Sequence, residues 1–159
     1  MSVRTEPEPV SMEDTTGNCQ LVFAWNADRF DHRVTRGEAS ASSVNDDTNP
    51  AWPCSPPLQQ LSKEQIGDQI VVLGVGCAGT SHFSVSVEPI ENGFRFDWAC
   101  KTKETPERLC STYQVAGSVA LQAGDHGQRM DIEDLLSIIP KESFDAPGTF
   151  RWSYQLLLS

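Results

Sequence analysis

The chain has 159 residues, of which 38% are hydrophobic and 21% charged, and its 12 basic and 22 acidic side chains give a formal net charge of −10. This composition is typical of one soluble domain, and the acidic balance without a basic cluster argues against nucleic acid and anionic membranes as partners. Because no apolar run is long enough for a membrane-spanning helix and the N-terminus is acidic rather than signal-like, we expect a cytoplasmic protein.

The first third of the chain alternates between polar and apolar segments. Residues 1–18 are acidic and contain prolines, so we expect a disordered tail before a single domain at residues 19–159. Apolar side chains alternate over Cys19–Trp25 and Phe30–Val34, which predicts two strands joined by a short turn. Residues 37–57 are rich in Ser, Asn, Asp and Pro and predict a long loop.

The middle of the chain predicts one short helix and three strands. Leu58, Leu61 and Ile66 have the spacing of a short helix. The segment Ile70–Val75 is apolar at nearly every position, as in a strand buried on both faces. The next two alternating segments, 83–88 and 94–101, predict an antiparallel hairpin with one polar and one apolar face.

Charge decides the register of this hairpin. A two-residue turn at Asn92–Gly93 would place Glu88 opposite Asp97, whereas a four-residue loop, Ile90–Gly93, places Glu88 opposite Arg95. Opposite charges across a strand pair contribute up to about 1 kcal/mol and like charges cost a similar amount. We therefore expect the register that pairs Glu88 with Arg95.

The last third predicts three more strands and a helix. Strands are indicated at Leu109–Val115, Val119–Ala123 and Phe150–Leu158, and the apolar spacing that follows Asp131, up to Pro140, is typical of a helix. Six to eight strands with one or two short helices predict a mainly-β fold, either an antiparallel sandwich or a barrel.

A glycine-rich motif invites comparison with nucleotide-binding proteins. Gly74, Gly76 and Gly79 match GxGxxG after an apolar strand, but a dinucleotide site needs a helix to begin there, and the following residues alternate like a strand. A bend or bulge between strands is therefore the favoured interpretation, in which the glycines permit positive φ angles or the close approach of a ligand.

Few residues suggest chemistry. Cys77, inside the glycine-rich bend, has His82 five residues later, so a nucleophilic thiol with a histidine base is one hypothesis, and Glu88 and Asp97 on the polar face of the hairpin are alternative catalytic groups. The five cysteines include no CxxC pair, which predicts reduced thiols and no metal site. No cofactor is predicted, and His32 is interpreted as a core or edge histidine rather than a ligand.

Trp52 differs from the other tryptophans because it lies in the long loop rather than in a strand. If exposed, it would mark a contact surface; if folded back, it would plug one end of the sandwich.

Two segments carry a resemblance to known sequences. The stretches Trp52-Pro53-Cys54-Ser55-Pro56-Pro57-Leu58-Gln59-Gln60-Leu61 and 73–88 resemble a family of uncharacterised bacterial proteins. The resemblance implies a bacterial, cytoplasmic origin and transfers no activity and no site.

Three functional hypotheses follow. The first is a non-catalytic binding or interaction module, for a protein or small molecule, that uses the bend from Gly74 to His82 and the loop with Trp52. The second is a small enzyme that uses Cys77 and His82, or Glu88 and Asp97. The third is a homo-oligomer in which the C-terminal strand pairs edge to edge with a second copy.

Overall fold

The structure, a computed structural model, describes residues 5–45 and 48–159, and these residues form thirteen strands and no helix. In chain order the strands are β1 (Val10–Glu13), β2 (Gln20–Asn26), β3 (Arg29–Arg36), β4 (Ala39–Ser43), β5 (Gln60–Ile66), β6 (Gln69–Ala78), β7 (Ser81–Ile90), β8 (Gly93–Lys101), β9 (Ser111–Ala116), β10 (Val119–Ala123), β11 (Gly127–Arg129), β12 (Leu136–Pro140) and β13 (Thr149–Leu158).

The strands form two antiparallel sheets that pack face to face. The first sheet has the order β1-β2-β3-β4-β9-β12-β11 and the second has the order β10-β13-β8-β7-β6-β5. Side chains from both sheets, such as Leu21, Val34, Val87 and Phe96, meet in one buried core. Neither sheet closes on itself, so of the two expected architectures the protein has the sandwich-like one, with more strands than the six to eight expected.

The register of the β7–β8 hairpin is the one that charge predicts, with Glu88 opposite Arg95. The connection itself is shorter than expected, because Ile90 and Gly93 are still paired. Only two residues, Glu91 and Asn92, form the turn. The second of these, Asn92, adopts the left-handed region with φ of 65°, which asparagine tolerates better than most residues.

Both helix predictions are wrong. The segment after Leu58 forms the edge strand β5, paired along its whole length with β6. The segment after Asp131 forms a tight turn, with Glu133 at φ of 56°, and then β12, which pairs with β9 and buries Ile138. So short a helix would be marginal on its own, whereas the strand form gains one pairing partner for β5 and two, β9 and β11, for β12.

The predicted tail and the predicted long loop each contain a strand. Residues 1–4 and 46–47 lie outside the described part of the chain, but β1 falls within the tail and β4 within the loop. The Asp14 carboxylate is buried and accepts hydrogen bonds from the backbone N–H groups of Cys19 at 3.0 Å and Asn92 at 2.8 Å, which fixes the end of the tail to the domain. In β4, Ala39 and Ala41 are small enough to pack in the core.

Two predictions about strand environment are also wrong. β6 is not buried on both faces, because Leu73 and Val75 on its outer face are 39% and 49% exposed. In the sheet it lies next to the edge strand β5. The C-terminal strand β13 lies between β10 and β8, so it lacks the free edge that pairing with a second copy requires. Self-association through other surfaces stays a hypothesis.

Candidate functional site

Trp52 lies in the core rather than on the surface. Its side chain is 6% exposed and belongs to the buried cluster between the sheets. The guanidinium of Arg108 donates from Nε to the Trp52 carbonyl oxygen at 2.8 Å, which anchors the loop from the backbone side. Of the two roles considered for Trp52, the structure therefore shows the plug and not the exposed contact residue.

The glycine-rich strand is covered by the chain's own loop. A Cβ atom at Gly76 would lie 2.0 Å from the Pro57 carbonyl oxygen, and one at Gly74 would lie 2.9 Å from Leu61 Cδ2. Gly79 has φ of +56° and faces Ala51. These glycines thus allow residues 51–61 to pack closely against β6, and the space considered for a ligand is filled by protein.

Cys77 and His82 face each other across β6 and β7, and both are exposed. The neighbour of His82 on its other side is Lys101. Within the described residues, the imidazole makes no hydrogen bond that would orient it as a base toward the Cys77 thiol. The structure therefore places the two predicted catalytic residues side by side and adds no third group to them.

Asp97 lies on the same outer face, in a different setting. It is directly opposite Ser86, and its Oδ2 is 3.3 Å from Nε of Arg95. Glu88 is opposite Arg95, one row farther from Cys77 and His82. Of the two carboxylates predicted as alternative catalytic groups, only Asp97 forms an ion pair with Arg95, and both lie apart from the thiol and imidazole.

Strand pairing aligns the outward side chains of the second sheet in rows that cross the strands. One row consists of Leu73, Ser86, Asp97 and Ser153, and the next consists of Val75, Ser84, Ala99 and Arg151. Most members in the middle of both rows are small. The flanking rows contain longer side chains, namely Glu88, Arg95 and Gln155 on one side and His82 and Lys101 on the other.

Small side chains between longer ones produce a concave surface, which we call the trough. It has a volume of about 540 Å³ and is lined by both central rows and by the turn residues Asp125 and His126. Leu73 and Val75 form its apolar end, at β6, while the turn forms the opposite end, beside β13. The predicted catalytic alternative Asp97 lies in the trough, and Cys77 and His82 do not.

The turn at the polar end is held firmly against β13. Ser153 donates to the Asp125 carbonyl oxygen from its backbone N–H at 3.2 Å and from Oγ at 2.8 Å. Cβ atoms at Gly124 and Gly127 would lie 2.7 Å and 2.6 Å from atoms of Ser153, so only glycine permits this approach. Between them His126 has φ of 61°, a strained conformation for a non-glycine residue.

The polar groups of the trough are largely without protein partners. Of the described residues, none forms a hydrogen bond or ion pair with the side chains of Ser84, Ser86, Asp125, His126 and Arg151. The trough contains the carboxylates of Asp97 and Asp125 and the guanidinium of Arg151, and Arg95 in the flanking row forms an ion pair with Asp97. Together with Arg95, the trough therefore offers hydrogen-bond donors and acceptors without an excess of either charge.

A second groove, of about 610 Å³, borders the edge strand β5 and contains Pro7, Val10 and Leu61. Two of its polar side chains, Gln59 and Ser62, are already engaged. Gln59 accepts from the Cys77 N–H at 2.8 Å and donates to the Asp28 carbonyl oxygen at 3.4 Å, and Ser62 is hydrogen-bonded to Glu64. The trough is the better candidate because more of its hydrogen-bonding groups are available, including Ser84, Ser86 and Arg151.

His32 is a core residue, as predicted. It is buried against Phe23, Phe96 and Tyr113, and its Nε2 lies 2.6 Å from the Tyr113 hydroxyl oxygen. Burial lowers the pKa of His32 to about 3, because the charged form would have to leave water. Within the described residues, no group of three or more His, Cys, Asp or Glu side chains could hold a metal ion.

Comparison with known proteins does not assign the site. No family model, no curated protein and no solved structure matches the chain. The described residues include no helix capable of crossing a membrane. The resemblance to uncharacterised bacterial proteins stays a prediction, and the function has to be argued from the trough itself.

Sequence reasoning identified part of this site and missed the rest. Alternation assigned Ser84, Ser86, Asp97 and Arg151 to polar strand faces, but it did not show that these faces adjoin. That requires β13 to pair with β8, a contact between residues far apart in sequence. The Gly-Asp-His-Gly sequence at 124–127 was the available signal for a tight turn, and only the structure shows that this turn borders the trough.

Proposed function

We propose that the protein is a non-catalytic binding module that holds a small polar ligand in the trough on the outer face of the second sheet. The observation that carries the proposal is the group of unpaired polar side chains, including Ser84, Ser86 and Arg151, around a concave floor of small residues. Polar groups that converge in a cleft without partners are typical of ligand sites. Trp52 and the glycine-rich strand contribute by supporting the fold beneath this surface.

The trough supports binding better than catalysis. A nucleophilic mechanism needs a nucleophile within hydrogen-bonding reach of a base that is itself oriented. In the described residues, the serines of the trough form no hydrogen bond with a histidine or carboxylate, and Asp97 is paired with Arg95. Donors and acceptors fixed on strands can still orient a bound molecule.

Filling the trough tests the proposal. Ala99→Trp puts a large side chain on the floor, and Ala120→Trp is its matched control, because Ala120 is exposed on β10 of the same sheet and outside the trough. Saturation-transfer NMR would be recorded with three test ligands: cellotriose, triglycine and inorganic phosphate. We expect at least one to bind the wild-type protein and the control and to lose at least tenfold in affinity with Ala99→Trp.

A second variant covers the case in which Ala99→Trp does not fold. Arg151→Ala removes an exposed side chain that has no partner among the described residues, so we expect it to fold and to weaken binding. Binding that survives both substitutions would overturn the proposal, as would the absence of binding for all three ligands.

A further inference from the structure

We infer that the ligand of the trough is a neutral, polyhydroxylated molecule, a short oligosaccharide, and this inference rests on the proposed function. The first reason is charge. The two carboxylates Asp97 and Asp125 are matched by the guanidinium groups of Arg95 and Arg151. A phosphate or polyamine would be favoured by an excess of one sign, and these four groups together have no such excess.

The second reason is the alternation of donors and acceptors. The Arg151 guanidinium can only donate hydrogen bonds, and the ionised carboxylates of Asp97 and Asp125 can only accept them. The hydroxyls of Ser84 and Ser86 can do both. A sugar hydroxyl also donates and accepts, so neighbouring hydroxyls on one ring can satisfy a carboxylate and a guanidinium at the same time. An anion presents mainly acceptors, so it would match Arg151 but would be repelled by the carboxylates of Asp97 and Asp125.

The third reason is the apolar part of the surface. Leu73 and Val75 are exposed at one end of the trough and Ala99 lies in its floor, next to the polar groups. Sugar rings present C–H groups on their faces and hydroxyls around their rims, so they match an aliphatic surface edged with hydrogen-bonding groups. A small hydrophilic ion would gain nothing from these residues.

The fourth reason is length. The trough crosses three gaps between strands, from β6 through β7 and β8 to β13. At about 4.8 Å per gap this is about 14 Å, longer than a single sugar ring. An adjoining recess lined by Arg95, Gln122 and Gln155 continues the polar surface past the turn. The dimensions therefore favour a short chain of rings over a monosaccharide.

Isothermal titration calorimetry with cellotriose and maltotriose tests the ligand class, with triglycine and inorganic phosphate as competitors of zwitterionic and anionic chemistry. We expect one of the two trisaccharides to bind with a Kd that changes by less than about twofold between low and high salt, because screening acts on charged ligands. Asp97→Asn should weaken binding by about tenfold, the effect of losing a charge-assisted hydrogen bond.

Glu64→Gln is the matched control, because it removes a carboxylate from the exposed edge strand of the same sheet, outside the trough. It should bind like the wild-type protein. Preferential binding of triglycine or phosphate would overturn the ligand class while leaving the proposed function intact. If none of the four ligands binds, both are overturned, and saccharide binding that Asp97→Asn leaves unchanged would overturn the placement of the ligand.

Discussion

The hydroxyl groups of Tyr113 and Tyr154 are hydrogen-bonded to each other in the centre of the sandwich, although the two side chains come from different sheets. Trp98 donates from Nε1 to the Tyr154 hydroxyl at 2.9 Å, and Tyr113 continues the chain to His32. The directions of these hydrogen bonds are consistent when Trp98 donates to Tyr154, Tyr154 to Tyr113, and Tyr113 to an unprotonated Nε2 of His32. Burial raises the pKa of Tyr154 to about 12, so it keeps its proton.

Tyr154→Phe should reduce the free energy of unfolding by about 1–3 kcal/mol. The substitution removes one hydroxyl and leaves the buried Trp98 N–H and the Tyr113 hydroxyl each short of a partner, which costs more than the net value of one hydrogen bond. Urea unfolding followed by tryptophan fluorescence measures the change.

The double variant Tyr113→Phe with Tyr154→Phe serves as the control. Because both ends of one hydrogen bond are then apolar, the double loss should be smaller than the sum of the single losses by at least about 0.5 kcal/mol. Additive losses would contradict a coupled chain.

His32 should make stability depend on pH. Its pKa is about 3 in the folded protein and near 6.5 when unfolded, so as pH falls below about 6.5 the unfolded state takes up a proton that the folded state does not. Stability is fully present above about pH 6.5 and declines toward pH 3, by up to about 1.4 kcal/mol per pH unit from this residue. Urea unfolding between pH 4 and 7 should show that the free energy of unfolding depends less steeply on pH in His32→Gln than in the wild-type protein.

His82→Gln is the control for the loss of an imidazole from the surface, because the His82 side chain is exposed. Equal slopes for wild type and His32→Gln would contradict the neutral, buried state of His32.

Gly76→Ala should destabilise the protein by about 1–3 kcal/mol or more. The new methyl would lie 2.0 Å from the Pro57 carbonyl oxygen, so the backbone of the covering loop has to move. Gly148→Ala is the matched control, because a Cβ atom there meets nothing within 4 Å. Thermal unfolding compares the two, and a Gly76→Ala midpoint equal to that of Gly148→Ala would contradict the close packing of the loop on β6.

Among the five cysteines, only Cys77 is exposed. Burial raises the pKa of the Cys100 thiol to about 12 and also raises the pKa values of the Cys19 and Cys110 thiols, so these thiols are neither accessible nor ionised. Ellman's reagent should therefore titrate about one thiol in the native protein and the remaining four only after denaturation. Cys77→Ser should abolish the fast phase, and rapid reaction of a second thiol in the native state would contradict the burial of the other cysteines.

The local alternation of apolar and polar residues was sufficient to predict most strands. It was insufficient where pairing with a neighbouring strand decided between helix and strand. The alternation in β7 and β8 and the charges of Glu88 and Arg95 predicted the hairpin register correctly. The segments that became β5 and β12 have apolar spacings compatible with a helix, and only a neighbouring strand selects the extended form. The polar, alanine-containing β4 lacks the bulky residues by which strands are recognised, yet it is paired on both sides.

The location of the candidate site was even harder to predict from local sequence pattern than the strands were. A tryptophan in a polar loop and a cluster of glycines suggested a binding surface, but the glycines admit the chain's own backbone and the tryptophan fills the core. The trough depends on rows formed by β6, β7, β8 and β13, and no local pattern reports which strands are neighbours.

Chemical-shift mapping of the wild-type protein tests the central claim most directly. With ¹⁵N-labelled protein and cellotriose as the titrant, we predict perturbed amide signals at Ser84, Ser86 and Ala99 on the floor and at His126 in the turn, with residues 51–59 unchanged. Perturbations confined to residues 51–59 and 76–79, or no perturbation on the outer face of the second sheet, would contradict the assignment of the trough as the binding site.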